Sequence, residues 1–310
     1  MERDIKKSIN KPLGISERTS GLAFSFAVVL VMLVSLVFSI IVHFNGASSK
    51  DAVYIYFSYF LPCVSLLFAI LATVFVSRSS FGDITAYFKF RIDKKFYFLI
   101  IPTAIGVLFG LGELNELFIK FLGLFGYVDT PSYLPEYSPL NLILTIVVIA
   151  VLPPVLEETL FRGIVQNGLK KSGYISIIVT AALFAVYHLS PSKTLYQFAV
   201  GLILSLVALK SGSVVPTIII HFLNNLLVIL NEYFSLFSIL PAGIARMAVG
   251  LICLAVAFAL LFVGRKPESF GDTSTKAPSK PEKTNWFEFV KGGVIGLVLS
   301  LAVWIANLFA

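Results

Sequence analysis

The run TIVVIAVLPPVLEETLFRGIV, residues 145–165, decides the class of fold that this chain adopts. It is apolar over the length of about 20 residues that a helix needs to cross a bilayer. Two adjacent carboxylates, Glu157 and Glu158, and the basic Arg162 nevertheless lie inside it. Ionisable groups at membrane depth are costly, so their presence predicts a functional site within a membrane helix.

The composition of the whole chain indicates a membrane protein. Of its 310 residues, 57% are hydrophobic and 13% are charged, which is more apolar surface than a soluble protein of this length can bury. In a membrane protein, a net charge of +7 is expected to lie mostly in loops on one side of the membrane. Because no basic patch is interleaved with aromatic residues, we expect no nucleic-acid partner. We predict an all-α, polytopic bundle of transmembrane helices within the lipid bilayer.

Apolar runs of sufficient length predict about eight or nine transmembrane spans. The third and fourth runs are long for one crossing. Polar residues between Gly110 and Glu116 interrupt the third, which could divide into a span and a short interfacial helix, and Pro153-Pro154 interrupts the fourth. The predicted spans are roughly 21–43, 53–77, 96–124, 140–169, 174–190, 194–210, 214–231, 239–263 and 286–310.

Positively charged residues are concentrated in alternate loops and therefore predict the orientation. The only basic residue in the loops at 45–51 and 127–139 is Lys50. We expect a multi-pass integral membrane protein with a cytoplasmic N-terminus, located in the cell membrane if the chain is bacterial. The basic residues on the cytoplasmic side are Arg3, Lys6, Lys7, Lys11, Arg18, Arg78, Lys89, Arg91, Lys94, Lys95, Lys170, Lys171, Lys210, Arg265, Lys266, Lys276, Lys280 and Lys283.

The first polar motif, Glu157-Glu158-x-x-x-Arg162, places opposite charges on one helix face. Glu158 and Arg162 are four residues apart, so their side chains can pair. Glu157 is rotated by about 100° from Glu158. The simplest interpretation is that Arg162 neutralises Glu158 and leaves Glu157 free to act as a general base. Pro153-Pro154, one turn earlier, should kink the helix and could open a wet cavity beside the carboxylates.

Two further motifs, Phe184-x-x-x-His188 and His221-x-x-x-Asn225, have the same spacing of four residues. Each pair therefore shares one face of a helix. Phe184 can hold the ring of His188 in place or line a substrate cleft. His221 and Asn225 present two hydrogen-bond donors in one direction, which is what an oxyanion requires.

The depth of these side chains follows from their distance to the connecting turns. Glu157 and His188 lie about 15 and 16 residues from the turn near Lys171, roughly 22–25 Å at 1.5 Å per residue. Antiparallel packing therefore brings both to one level. His221 is only about nine residues from its own turn. It reaches the same level only if residues 160–171 project into the cytoplasm or tilt.

In this order, on successive membrane helices, the three motifs resemble those of the CPBP intramembrane proteases. That family includes the type II CAAX prenyl endopeptidases and the bacterial Abi and bacteriocin-immunity proteins. The resemblance covers roughly residues 138–232. It implies an intramembrane endopeptidase whose substrate is a membrane-associated protein or peptide.

The resemblance also implies a role for each motif residue. Glu157 would activate water with the assistance of His188. His221 and Asn225 would stabilise the tetrahedral oxyanion. The supporting residues would be Glu158, Arg162 and Phe184.

The cofactor requirement stays open between two alternatives. The chain lacks the His-Glu-x-x-His pattern of a zinc helix. Glu157, His188 and His221 could still supply three zinc ligands. Zinc would then occupy Glu157, the best general base. The remaining carboxylate, Glu158, is expected to pair with Arg162. We therefore favour a glutamate-type mechanism with no cofactor over a metalloprotease.

The resemblance divides the chain into five segments. A core of CPBP type at 138–232 follows an N-terminal transmembrane region of unknown role. Residues 264–285 are rich in Lys, Pro, Ser and Thr, so we expect a disordered cytoplasmic linker. Gly292-x-x-x-Gly296 in the last span lets helices approach closely and could form an oligomer contact. The other segments are 1–137, a transmembrane helix within 233–263 and a C-terminal transmembrane helix at 286–310.

Two other classes of function fit the same residues. A proton- or ion-coupled transporter could use the carboxylates and histidines as a relay. A non-catalytic immunity protein or scaffold could bind a peptide or partner without cleaving it. Both alternatives predict that no peptide product depends on Glu157.

Overall fold

The computed structural model describes residues 15–46, 51–129, 133–263 and 283–309. Within these residues the regular elements are helical and no strand occurs, which confirms the predicted all-α class. In the same part of the chain, eight helical stretches have the length and apolar composition needed to cross a membrane. The chain is therefore a multi-pass integral membrane protein. The predicted linker at 264–285 lies almost entirely outside the described residues.

The helices are numbered here in chain order over the described residues. Short 3-10 turns cover Lys170–Ser172 and Leu236–Ile239. π-Helical stretches cover Val107–Leu111, Ile146–Val151 and Thr159–Gln166. The α-helices are α1 (Glu17–Asn45), α2 (Ala52–Ser77), α3 (Phe81–Thr85), α4 (Lys95–Phe98), α5 (Ile100–Gly106), α6 (Gly112–Gly123), α7 (Pro139–Thr145), α8 (Leu152–Glu158), α9 (Tyr174–Tyr187), α10 (Pro191–Ser211), α11 (Val215–Phe234), α12 (Ile244–Phe262) and α13 (Trp286–Leu308).

The third predicted span is one run of helix and does not divide. α4 and α5 join through Leu99, and α5 and α6 join through the π-helical stretch Val107–Leu111, so that together they cover Lys95–Gly123. Glu113, one of the expected interruptions, lies 3.4 Å from Arg246 of α12, and its second oxygen accepts a hydrogen bond from the amide of Gly243. Because a neighbouring helix neutralises this carboxylate, the run can continue through it.

The fourth span runs without a break from α7 through α8 to Gln166. Pro153 and Pro154 lack the amide hydrogen that a helix uses for its backbone bonds. The distortion predicted at these prolines takes the form of π-helical turns, at Ile146–Val151 before them and at Thr159–Gln166 after the glutamates. Wide turns of this kind are frequent at functional sites.

The fifth predicted span, 174–190, is shorter in the structure. The 14 residues of α9 extend about 21 Å at 1.5 Å per residue, against about 30 Å of hydrocarbon. The helix ends because Leu189 adopts a left-handed conformation with φ of +54°, and α10 begins directly afterwards at Pro191. This turn leaves His188 at the end of α9, partway through the bundle.

α13 packs along α1 through contacts between glycines. A Cβ atom added to Gly21 would overlap the carbonyl oxygen of Phe289. Ser25 donates to the carbonyl of Gly292 at 2.7 Å and accepts from the amide of Gly296 at 3.1 Å. The Gly292-x-x-x-Gly296 pair therefore contacts α1 of the same chain. This corrects the interpretation of the pair as an oligomer contact, because its small face is already filled.

The glycine contact predicts a selective loss of stability. Gly21→Ala should lower the free energy of unfolding by about 1–3 kcal/mol, because the added methyl group forces α1 and α13 apart. The control is Gly112→Ala, whose Cβ meets no atom within 4 Å. It should be neutral or slightly stabilising, since alanine favours helix. Thermal unfolding in detergent measures both variants, and equal midpoints would contradict the packing.

Candidate active site

A cavity of about 520 Å³ lies among α1, α2, α8, α9, α10 and α11. Glu157, His188, His221 and Asn225 all line it. The structure therefore brings the four predicted catalytic side chains, which come from three motifs, to one cavity. The three predicted supporting residues do not line this cavity and lie behind its wall.

The two adjacent carboxylates have different surroundings. Glu157 is 8% exposed, whereas Glu158 and Arg162 are fully buried. Nη1 of Arg162 lies 2.8 Å from Oε1 of Glu158, so the predicted pair is present. Nη2 of Arg162 donates to the carbonyl of Gly201 in α10 at 3.2 Å. Arg162 is therefore held by two helices, and Glu157 is left to face the cavity.

The ring of Phe184 packs against Arg162 of the charged pair. This ring is fully buried, and the guanidinium carbon of Arg162 lies 4.5 Å from its centroid, within cation–π range. The ring of His188 meets Phe184 edge to face at 4.8 Å between centroids. Of the two predicted roles for Phe184, the structure has the packing role, and the phenyl ring does not line the cleft.

His221 lies between the two carboxylates. Its Nδ1 is 3.1 Å from Oε1 of Glu158, and its Nε2 is 3.9 Å from Oε2 of Glu157. His221 therefore lies at the depth of the glutamates. These contacts connect four ionisable side chains from two separate helical runs, in the order Arg162, Glu158, His221 and Glu157.

The orientation of His188 follows from its position after the last turn of α9. Its Nδ1 lies 2.7 Å from the carbonyl oxygen of Phe184. A carbonyl can only accept, so Nδ1 carries the hydrogen. In the neutral ring the lone pair is then on Nε2, which is the nitrogen available to accept a proton or a hydrogen bond.

Asn225 is bound to a backbone carbonyl that the two prolines leave free. The amide groups four and five residues after Ile149 would belong to Pro153 and Pro154, and neither has a hydrogen. Nδ2 of Asn225 donates to the Ile149 carbonyl at 2.9 Å instead. An amide nitrogen has two hydrogens, so one hydrogen of Asn225 remains for another acceptor.

The bonds to Glu158 and Ile149 limit the number of hydrogens that His221 and Asn225 can present as the two predicted donors. One nitrogen of His221 is bound to Glu158, and one hydrogen of Asn225 is bound to Ile149. Each side chain therefore retains one polar hydrogen at most for an oxyanion. The bound atoms fix the orientation of both side chains, which a free pair would lack.

Asn224 was not selected from the sequence, although it also lines the cavity. Its Oδ1 accepts from the hydroxyl of Tyr196 at 2.8 Å, and its Nδ2 donates to Oδ1 of Asn225 at 3.4 Å. The available signal was its spacing of three residues from His221, which places both on one side of α11. Asn224 links Asn225 to α10.

The predicted zinc ligands do not form a metal-binding group in this geometry. Within the described residues, no group of three or more His, Cys, Asp or Glu side chains could hold a metal ion. Glu157, His188 and His221 line the same cavity without forming such a group. We therefore derive no step through a metal.

The comparisons with known proteins agree with the motifs. Residues 139–227 match the family of Rce1-like type II CAAX prenyl endopeptidases. All seven predicted site residues lie in this segment, and the predicted resemblance to the CPBP proteases is confirmed. The match does not favour the transporter or immunity alternatives.

One curated relative and the solved structures complete the comparison. An uncharacterized 24.3 kDa protein of Escherichia coli is 33% identical over 88 residues. The alignment covers 26% of this chain and 41% of that protein, so the chain spans less than half the length of the curated relative that it matches. No solved structure matches the chain.

Removing one partner of the buried ion pair should destabilise the protein strongly, and replacing both partners should restore much of the stability. Arg162→Met should lower the free energy of unfolding by about 3–5 kcal/mol, because it leaves Glu158 buried without its cation. The double variant Glu158→Gln/Arg162→Met should recover much of this loss. Thermal unfolding in detergent measures both.

Lys291→Met is the matched control for the ion pair, because it removes a cation that pairs with Glu288 at 2.9 Å on the surface. Solvent screens this exposed pair, so the variant should unfold at the wild-type temperature. An Arg162→Met protein as stable as the control would refute the importance of the buried pair.

Proposed function

We propose that the protein is an intramembrane endopeptidase that hydrolyses peptide bonds of membrane-associated proteins or peptides. One observation carries the proposal. Glu158 is bound by Arg162 and His221. The neighbouring Glu157 forms no hydrogen bond with a described residue, and its side chain lines the cavity. A carboxylate that lines a cavity and has no hydrogen-bond partner is suited to bind and deprotonate a water molecule.

In the proposed reaction, Glu157 accepts a proton from water as the water oxygen forms a bond to the substrate's carbonyl carbon. His188 accepts a hydrogen bond from the same water through Nε2 and so orients it. When the carbon–nitrogen bond breaks, the proton held by Glu157 passes to the departing amine. General acid–base catalysis of this kind contributes about 10²–10⁴-fold to a rate.

The oxyanion of the tetrahedral intermediate would receive hydrogen bonds from Nε2 of His221 and from the second amide hydrogen of Asn225. His221 can donate through Nε2 when it is protonated, since its Nδ1 already donates to Glu158. With His221 protonated, the charges of Arg162, Glu158, His221 and Glu157 sum to zero. Loss of one oxyanion donor costs about 10²–10³-fold in kcat in other enzymes.

We also propose a cytoplasmic N-terminus and a location in the cell membrane. The basic loops after α2, after Gln166 and after α10 are tied together at one end of the bundle. The hydroxyl of Tyr87 donates to Oδ1 of Asn167 at 2.6 Å, and the backbone carbonyl of Tyr87 accepts from the amide of Val214 at 2.9 Å. Loops that share one end of the bundle lie on one side of the membrane, and their positive charge favours the cytoplasmic side.

The role of Glu157 is tested by a substitution that keeps its shape. Glu157→Gln should reduce cleavage by at least about 10²-fold, because an amide cannot accept the proton of water. Mass spectrometry of membrane-derived peptides from cells with either protein measures the products. Glu232→Gln is the matched control, since that carboxylate is exposed and lies outside the cavity. Wild-type cleavage by the Glu157→Gln protein would refute the assignment.

The cofactor alternative predicts a different response to chelation. In the glutamate-type mechanism, the purified protein should keep its activity after dialysis against a chelator, because no step passes through a metal. Peptidase activity is measured before and after dialysis, together with metal content by mass spectrometry. Activity that is lost on chelation and restored by zinc would establish the metalloprotease alternative.

The orientation predicts which loops a membrane-impermeant thiol reagent can reach. Single cysteines are placed at Lys94 and at Val128, both exposed, in a protein with Cys63→Ala and Cys253→Ala. In intact cells, the reagent should label the cysteine at 128 and should reach the one at 94 only after permeabilisation. The reverse pattern would invert the proposed topology.

A further inference from the structure

A second cavity, of about 430 Å³, lies beside the active-site cavity. Lys193, in the first turn of α10, lines both. In the described part of the chain it is the only Lys or Arg that lines either one. The polar side chains around the second cavity are Asn115, Tyr127, Asp129, Ser190, Ser192 and Asn307.

Lys193 is exposed and, unlike Arg162 and Arg246, has no acidic partner among the described residues. Arg162 pairs with Glu158, and Arg246 pairs with Glu113. Lys193 forms no hydrogen bond and no ion pair with any described residue. The nearby acid in the second cavity, Asp129, lies 3.3 Å from the hydroxyl of Tyr127 and forms no ion pair with Lys193.

The position of Lys193 relates it to the chemistry of the site. It lines the same cavity as Glu157 and His188. The nearest other cation in the site, Arg162, is already paired with Glu158. Lys193 is therefore a cation at the boundary of the two cavities that forms no ion pair with a described carboxylate.

We propose that Lys193 binds a carboxylate of the substrate and so sets which peptides the site accepts. The inference rests on the proposed peptidase function. A peptide whose scissile bond lies beside Glu157 would extend one of its ends into the second cavity, whose volume is within the range of ligand pockets. Peptides carry carboxylates at the C-terminus and on Asp and Glu, and an ammonium group binds such anions through charge-assisted hydrogen bonds.

If Lys193 binds a substrate carboxylate, replacing Lys193 should change KM and leave kcat nearly unchanged. The probes are two mixtures of N-acylated decapeptides with randomised positions, one with a free C-terminal acid and one with a C-terminal amide. The wild-type protein should prefer peptides with a carboxylate, and Lys193→Gln should raise the KM of these about tenfold while kcat stays within about twofold. Lys193→Arg should retain the preference, because it keeps the charge.

Comparison of the mixtures distinguishes the two sources of the carboxylate. If the C-terminus is recognised, the acid mixture is preferred over the amide mixture. If a side chain is recognised, Asp or Glu is enriched at one position in both mixtures. Lys291→Gln, which removes an exposed lysine outside both cavities, is the control and should change neither preference.

A binding measurement separates this inference from the proposed function. Peptides retained by the Glu157→Gln protein are compared with those retained by Glu157→Gln/Lys193→Gln, and the single variant should enrich carboxylate peptides about tenfold more strongly. Equal retention by the two proteins would overturn the role of Lys193 even if cleavage is observed. Absence of cleavage by the wild-type protein, with the difference in retention present, would instead overturn the peptidase assignment.

Discussion

The ion pair between Arg162 and Glu158 is the constraint on which the rest of the site depends. Both side chains are fully buried, and a charge in this environment is tolerated only with a partner and further hydrogen bonds. The partners come from four helical runs: Glu158 also binds His221, and Arg162 also contacts Gly201 and the ring of Phe184. Satisfying one buried arginine therefore brings α8, α9, α10 and α11 together and turns Glu157 toward the cavity.

A defect in the backbone has a comparable role. Pro153 and Pro154 deprive the Ile149 carbonyl of both backbone donors that a helix could offer, and the side chain of Asn225 supplies the replacement. At membrane depth a backbone carbonyl needs a hydrogen-bond donor, and the side chain of Asn225 is the donor that the structure provides. The prolines thereby connect the helix that carries the glutamates to α11. Asn225 holds a fixed orientation beside the cavity for the same reason.

The last helix belongs to the support of the site, although it is outside the matched segment. α13 packs on α1 through glycine contacts, and its end binds the region that follows α9. Asn307 donates to the carbonyl of Leu189 at 2.8 Å, and Nε1 of Trp304 donates to Thr194 at 2.7 Å. The left-handed Leu189 ends α9 at the level of His188. These hydrogen bonds offset the free-energy cost of the left-handed backbone at Leu189.

The sequence by itself determined the all-α membrane class, the approximate spans and the pairing of Glu158 with Arg162, because apolar length and spacing along a helix are local properties. It also identified four side chains that line one cavity. Only the tertiary structure decided that His221 lies between the glutamates, that Asn225 binds Ile149 and that the glycines of α13 face α1. Those contacts join residues far apart in the chain, and helix periodicity gives the face of a side chain but not the helix against which that face packs.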